Sequence, residues 1–266
     1  MKRIEQLSEL SELIRGQFRR GVMTNAPFSP DAFSDEVAGK TLYGEEIPGG
    51  LLLLRRREGF DRLSFYLQPG ADFSQWKPEQ DVVTEFPAKP GDPGAVMLNV
   101  LLENAGFQKK FTRIRMQRTG DSASQVHGQC SVTLAQISDC SAVLAFLYRF
   151  YDMQTGCLPT ARELTRHIRE GGVILAFLDG MPAGVLHMVR NRNTVQLRHI
   201  AVEPRFRGCG IGSEMLEFYF AHQEACKCQL WVAEDNGSAR RLYEKNGFVP
   251  DGWTSTVWSY ERKNKQ

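Results

Sequence analysis

The residues best placed for chemistry lie in one run, His199-Ile200-Ala201-Val202-Glu203-Pro204-Arg205-Phe206-Arg207-Gly208-Cys209-Gly210-Ile211-Gly212-Ser213. An apolar β stretch ends at Val202, Pro204 turns the chain, and glycines at 208, 210 and 212 open what reads as a helix. Glycine lets the backbone take positive φ and come close to a ligand. The first N–H groups of a helix have no internal partner and sit at the positive end of its dipole. Strand, glycine loop and helix start therefore form an anion site, and Arg205 and Arg207 add charge beside it. The spacing excludes two familiar phosphate loops. No Lys-Ser/Thr pair follows the second glycine, as a Walker A loop requires. The glycines run G-x-G-x-G rather than G-x-G-x-x-G, and no acidic residue closes a second strand about 20 residues on, against a dinucleotide fold.

Within this run, Arg205-Phe206-Arg207-Gly208-Cys209-Gly210 fits the pattern Arg/Gln-x-x-Gly-x-Gly/Ala of the GNAT acetyltransferase superfamily, which it resembles. Downstream, the segment Asn236 to Phe248 is similar to the N-x-x-A-x-x-L-Y-x-x-x-G-F stretch of the same family, through Asn236, Ala239, Leu242, Tyr243, Gly247 and Phe248. The resemblance implies acetyl-coenzyme A lying in a V-shaped split between the family's fourth and fifth strands, here Thr194–Val202 and Gln229–Val232. It implies that backbone groups of Ile200 and Val202 bind the thioester and pantetheine arm. The N–H groups of Gly208, Cys209, Gly210, Ile211, Gly212 and Ser213, with Arg207 beside them, would hold the pyrophosphate. Asn236 would contact the pantetheine region, and Tyr243 would protonate the departing thiolate. The reaction that the resemblance implies is direct attack of a neutral primary amine on the thioester. Proximity supplies up to roughly 7–11 kcal/mol in model systems, and a phenol acting as general acid a further 10²- to 10⁴-fold.

The general base is read less directly. Relatives of the ribosomal-protein type carry a glutamate on the fourth strand where this chain has Gln196, which cannot take a proton. His199 on that strand and His187 on the preceding one have suitable chemistry, with deprotonation through water as the alternative. Glu203, at the strand exit, is expected to face solvent. Gln196 also leaves open a second reading, a non-catalytic acyl-coenzyme A-binding regulatory protein. A third is a structural module whose glycine loop stays empty.

The surrounding elements must carry this site. After a polar, unpatterned stretch from Thr119 to Gly128, the expected order is strand, helix, helix, three strands, helix, strand, helix, strand. Hairpin turns are expected at Asp179-Gly180 and Asn191-Arg192-Asn193. The fold class is α/β, a mixed α+β sheet flanked by helices. Two domains are expected, 1–124 and 125–266. The first half ends one helix in Asn104-Ala105-Gly106-Phe107 and the second ends one in Asn246-Gly247-Phe248, each followed by β structure. That echo suggests tandem GNAT-like domains, the first degenerate, without a glycine loop or the central helix after it. An unrelated small α+β domain is the competing reading. Arg55-Arg56-Arg57 reads as an exposed strand end.

Composition removes other classes. Lys+Arg (33) nearly balances Asp+Glu (31), so no basic field argues for nucleic acid. No apolar run approaches the roughly 18 residues of a membrane helix, and the N-terminus lacks a signal-peptide core. The six cysteines make no CxxC pair, so free thiols, no metal and a cytoplasmic location are expected. The acceptor would be a small-molecule amine or a peptide N-terminus. It would enter near Phe150 to Gly156, where Asp152 is either an ammonium partner or an exposed loop residue.

Overall fold

The computed structural model describes residues 1–72, 75–119, 128, 130–191, 193–222 and 227–262. The chain divides into two compact units, Met1–Arg113 with Trp253–Gln266, and Ile114–Gly252. This division is not linear along the chain, unlike the expected 1–124 and 125–266. The difference arises because the last strand pairs antiparallel with a strand of the first unit, from Thr254↔Ala88 to Tyr260↔Val82. Most of the stretch expected to separate the domains (120–127) lies outside the described residues.

In the first unit β1 (Lys2–Arg3), α1 (Leu7–Arg15) and β2 (Met23–Thr24) precede a 3-10 turn at Pro30–Phe33 that runs into α2 (Ser34–Ala38). Then come β3 (Leu42–Ile47), β4 (Gly50–Arg57), β5 (Phe60–Leu67), β6 (Asp81–Ala88), α3 (Pro93–Asn104) and β7 (Gln108–Arg118), of which residues 114–118 belong to the second unit. Strand order is β1-β3-β4-β5-β6, completed by the chain's last strand, with β2 beside β5. α1 is short and one-sided: Leu10 and Ile14 are buried, whereas Phe18, beyond its end, is exposed and stacks on Phe28. Asp92 caps α3 by accepting from the N–H groups of Gly94 and Ala95. The three arginines at the end of β4 are not a bare strand end. Arg55 and Arg57 pair with the buried Glu36, and Arg56 pairs with Asp61 and Glu79.

The second unit continues with β8 (Ser131–Leu134), α4 (Cys140–Tyr148), α5 (Ala161–Arg169), β9 (Val173–Leu178), β10 (Met181–Asn191) and β11 (Thr194–Val202). It ends with α6 (Ile211–Ala221), β12 (Lys227–Ala233), α7 (Gly237–Lys245) and β13 (Val249–Tyr260), of which residues 249–252 belong to this unit. The order is β7-β12-β11-β10-β9-β8, with β11 and β12 parallel and the others on β11's far side antiparallel. The β9–β10 turn has Asp179 at φ 51° and Gly180 at φ 74°, the left-handed pair that two-residue hairpins need. The other expected turn includes Arg192, outside the described residues. Thr160 and Glu163 form a reciprocal capping box that starts α5. One face of the sheet packs Ile174, Leu186, Val195, Leu197 and Leu230 under α6, with Tyr243 of α7. The opposite face packs Val173, Val185 and Ala201 under α4 and α5. No helix among the described residues is long and apolar enough to cross a membrane.

The two units close corresponding helices alike. Phe107 N–H bonds to Leu102 C=O across Gly106 (φ 89°), and Phe248 N–H bonds to Tyr243 C=O across Gly247 (φ 80°). This is the six-to-one bond of a Schellman motif, its phenylalanine buried in each case. Leu102 therefore stands in α3 where Tyr243 stands in α7.

Each unit also has one parallel pair that parts company. In the first, β5 and β6 pair only from Phe60↔Asp81 to Arg62↔Val83, although both strands run on. The gap beyond is sealed by Asn25. Its Nδ2 donates to Leu63 C=O (3.1 Å), Thr84 Oγ1 (3.0 Å) and Glu85 C=O (3.0 Å), and its Oδ1 accepts from Phe65 N–H (2.9 Å). Among the described residues between β5 and β6 there is no helix. Asn25→Ala removes bonds to both strands at once and should cost about 2–3 kcal/mol of stability in urea unfolding, less than the sum of separate bonds because the side chain is only part-buried. A loss below about 0.5 kcal/mol would show that water takes its place.

Candidate functional site

The second unit's gap is built differently. β11 and β12 pair from Thr194↔Lys227 to Leu197↔Leu230 and then stop, while the strands continue to Val202 and Ala233. The cause lies in β11 itself. Its pairing with β10 steps from Met188↔Leu197 to His187↔His199, leaving Arg198 as a bulge. A bulge bends its strand and reverses the alternation of faces. Before it, Val195 and Leu197 face α6; after it, Ile200 and Val202 pack on that same side, and Ala201 joins the α4/α5 face. His199 turns with Ala201 and meets histidines from β10 and α5.

At the mouth of this split, Pro204–Phe206 form a 3-10 turn and Gly210 (φ 83°) is the N-cap of α6. Gly208 also has positive φ, 85°, and a Cβ at either glycine would meet open space, so the conformation and not crowding selects glycine there. Gly212 differs: a Cβ there would lie 3.1 Å from Leu242 Cδ2, so this glycine lets α6 pack on α7. Gly210 C=O accepts from the N–H groups of Ser213 (2.9 Å) and Glu214 (3.1 Å). Among the described residues the N–H groups of Gly208, Cys209, Gly210, Ile211 and Gly212 meet no backbone acceptor. Residues 208–210 are exposed, so a row of donors opens outward at the positive end of an 11-residue helix. Ser213 is already engaged, its N–H by Gly210 and its Oγ by Asn246 Nδ2 at 3.0 Å.

The arginines and the acid beside them are arranged by pairing. Arg207 Nε donates to Val202 C=O (3.3 Å), and the Arg205 guanidinium lies over the Phe206 ring (4.6 Å). Glu203 does not simply face solvent. Arg149 grips both its oxygens, at 2.7 and 3.1 Å, and that hydrogen-bonded guanidinium holds the carboxylate below its usual range. Asn236 caps α7, accepting from Ala239 N–H (3.1 Å) and Ser238 Oγ (3.0 Å), and is exposed at that helix start.

Tyr243 is buried in the α6-side core, edge-on to Phe248, and makes no hydrogen bond among the described residues. Burial raises its phenol above the ordinary range, with smaller contributions from Tyr151 and Cys228. Tyr151, in the segment between α4 and α5, was not singled out in the sequence. Its hydroxyl donates to Ile200 C=O (2.8 Å) and accepts from Ile200 N–H (3.0 Å), and burial pushes it up to about 12. Both backbone groups of Ile200 thus point away from β10, and the two-residue period of a strand gives Val202 the same edge.

His199 is buried and belongs to a chain. Its Nε2 lies 2.8 Å from Gly156 C=O and its Nδ1 lies 3.0 Å from His187 Nδ1; His187 Nε2 lies 3.0 Å from His167 Nδ1. A carbonyl only accepts, so His199 donates from Nε2. With neutral rings the tautomers follow in order: His187 donates from Nδ1 to His199, and His167 from Nδ1 to His187. Burial, then the neighbouring His199 and His167, hold His187 well below the usual imidazole value. The structure therefore joins His187 and His199, read separately from the sequence, and adds His167. Gln196 lies before the bulge and accepts from Arg198 (3.2 Å). Asp152 is exposed and accepts from Thr155 N–H and Oγ1, both at 2.8 Å, so it orders its own loop.

With this geometry in view, residues 144–248 match the model of the acetyltransferase (GNAT) family. No curated protein sequence matches the chain. Several solved structures share its fold. An acetyltransferase of the GNAT family from Colwellia psychrerythraea is 17% identical with TM-score 0.56, over 98% of this chain and 99% of that one. An N-acetyltransferase from Sphaerobacter thermophilus is 15% identical with TM-score 0.58, over 98% and 94%. A tandem GNAT protein from the clavulanic acid biosynthesis pathway is 16% identical with TM-score 0.55, over 82% and 80%. The parted parallel strands, the glycine-opened helix and the matched residues lead to one conclusion: the C-terminal half of this chain is a GNAT acetyltransferase domain, in a chain of tandem GNAT-like fold.

Proposed function

We propose that the second unit is an acetyl-coenzyme A-dependent N-acetyltransferase acting on a primary amine, a small molecule or a peptide N-terminus. The observation that carries this reading is the row of N–H groups from Gly208 to Gly212 that meet no backbone acceptor among the described residues, at the mouth of the split between β11 and β12. A pyrophosphate would lie on these amides, with Ser213 closing the turn and Arg207 beside it. The pantetheine arm would follow the open edge of β11, where Ile200 and Val202 present backbone groups, toward the start of α7 at Asn236. Acetyl-coenzyme A supplies an activated acyl thioester when bound. Attack by the neutral amine forms the C–N bond and places charge on the thioester oxygen, which a β11 N–H would stabilise. The C–S bond then breaks, and Tyr243 would give its proton to the leaving sulfur.

The attacking amine must also lose a proton, which calls for a base. His199 remains our proposal for it, but its Nε2 is held by Gly156 C=O, so it accepts a proton there only after that bond opens. The first unit would have no catalysis of its own: its split is sealed by Asn25, and it has Leu102 where the second has Tyr243.

Gly210→Glu places a carboxylate at a left-handed backbone position on the anion site. Calorimetry should find acetyl-coenzyme A binding in the wild type and none in this variant. Absence of binding in the wild type would remove both the enzyme and a regulatory acyl-coenzyme A sensor. Tyr243→Phe should leave binding within about twofold and lower kcat on the order of 10²-fold or more, read as thiol release across an amine panel. An unchanged kcat would make Tyr243 a core residue only. A phenol raised above its ordinary value of 10 stays protonated through pH 10. The wild-type kcat should accordingly show no falling limb between pH 8 and 10; a fall there that vanishes in Tyr243→Phe would contradict the burial-raised acid.

A further inference from the structure

Past Leu197 the edge of β11 toward β12 has lost its partner strand, and one side-chain oxygen meets its backbone at Ile200. An amide on such an edge offers one donor and one acceptor; the Tyr151 hydroxyl offers the same pair from a single atom. The segment that carries Tyr151 also places the Gly156 carbonyl on His199 Nε2, and the Tyr151 ring stands edge-on to the His199 ring, centroids 4.8 Å apart. A single stretch, residues 150–156, therefore covers both the open strand edge and the outer end of the histidine chain.

We propose that Tyr151 is a positioning residue that holds this segment closed, and that the amide-bearing arm of the acyl donor displaces it. The donor would then bind first, and its binding would take Gly156 off His199 before the acceptor arrives. This inference rests on the donor site proposed above. The exchange is feasible because it is nearly balanced. The incoming amide makes bonds of the same kind that the phenol gives up, and the phenol leaves a site whose burial disfavours its polar group. The contrast with the first unit supports it. Asn25 bonds to both parted strands and locks them, whereas the Tyr151 hydroxyl bonds only to β11.

The test compares wild type with Tyr151→Phe, as full chains, by calorimetric titration with coenzyme A. The variant keeps the ring but leaves the Ile200 groups unpaired, so it should bind about tenfold more tightly. Binding by the variant alone would also support the proposal, as a wild type held fully closed. Equal or weaker binding by the variant, with wild-type binding intact, overturns the displacement and leaves the donor site standing. Binding by neither protein removes both. Hydrogen exchange of the wild type decides the question if the variant does not fold. Coenzyme A should quicken exchange over residues 150–156 while slowing it over 208–213; unchanged or slowed exchange over 150–156, with 208–213 protected, overturns the proposal.

Discussion

The bulge at Arg198 is the constraint on which the second unit's site depends. Parallel strands stay paired only while their twist and register agree, and one extra residue in β11 ends that agreement after Leu197↔Leu230. Three consequences follow from the same residue. The edge of β11 beyond the bulge is left with backbone groups that no strand can satisfy. The side chains of Ile200 and Val202 are carried to the α6 side, where Ile200 packs beneath the glycine-opened helix start. His199 is turned to the opposite face, against His187 and within reach of the α4–α5 segment. Without the bulge, His199 would sit with Val195 and Leu197 under α6, and the histidine chain would not exist.

The two units share part of their architecture and differ in what fills the gap between the parted strands. Each retains a parallel pair that parts and a helix closed by a left-handed glycine with a buried phenylalanine. Those features are packing and backbone hydrogen bonding, and they serve stability in either unit. The first unit lacks the exposed row of amides. Its split is filled by an amide side chain that satisfies both strands, which removes the penalty of unpaired buried groups but leaves no edge for a ligand. The second unit leaves the amides of residues 208–212 without a backbone acceptor among the described residues, and residues 208–210 are exposed to solvent.

Local features were legible in the sequence and non-local ones were not. The Asp179-Gly180 turn and the strand Thr194–Val202 each rest on chemistry within a few residues, and each lies where its residues indicate. The glycine loop belongs to the same group, since G-x-G-x-G after an apolar strand can be read without tertiary contacts. β3 (Leu42–Ile47) is not legible because LYGEEI carries a glycine and two glutamates, and it is a strand because β4 pairs along its whole length and β1 pairs with Tyr43 and Gly44 on the other edge. The bulge was invisible for a stronger reason. VQLRHIAV alternates only as far as Arg198 and then runs His-Ile-Ala-Val, which suits a buried strand end as well as a bulge, and only pairing with β10 shows that Arg198 is the residue left over. Tyr151 was hidden for the same cause, because its partner Ile200 is 49 residues away. Nor could composition show that the final strand joins the first unit, since that depends on its pairing with β6.

Burial sets the acid–base character of the second unit in both directions. Removing water disfavours whichever form of a group is charged, so the same dry interior raises the Tyr243 phenol and lowers the His187 imidazole. For a thiolate-protonating tyrosine this is the useful direction, because the proton stays in place until a stronger base is created beside it. For an imidazole the lowered value keeps the ring neutral, which an acceptor of protons requires, but it weakens the ring as a base. A chain of three hydrogen-bonded imidazoles eases that conflict. A proton arriving at one ring is stabilised by a neighbour that can present a lone pair, and the tautomers can reverse in sequence so that charge need not rest on the most buried ring. The observed order, with His199 donating to Gly156 C=O, is the resting direction; an accepting Nε2 requires that carbonyl to move and all three rings to switch tautomer together.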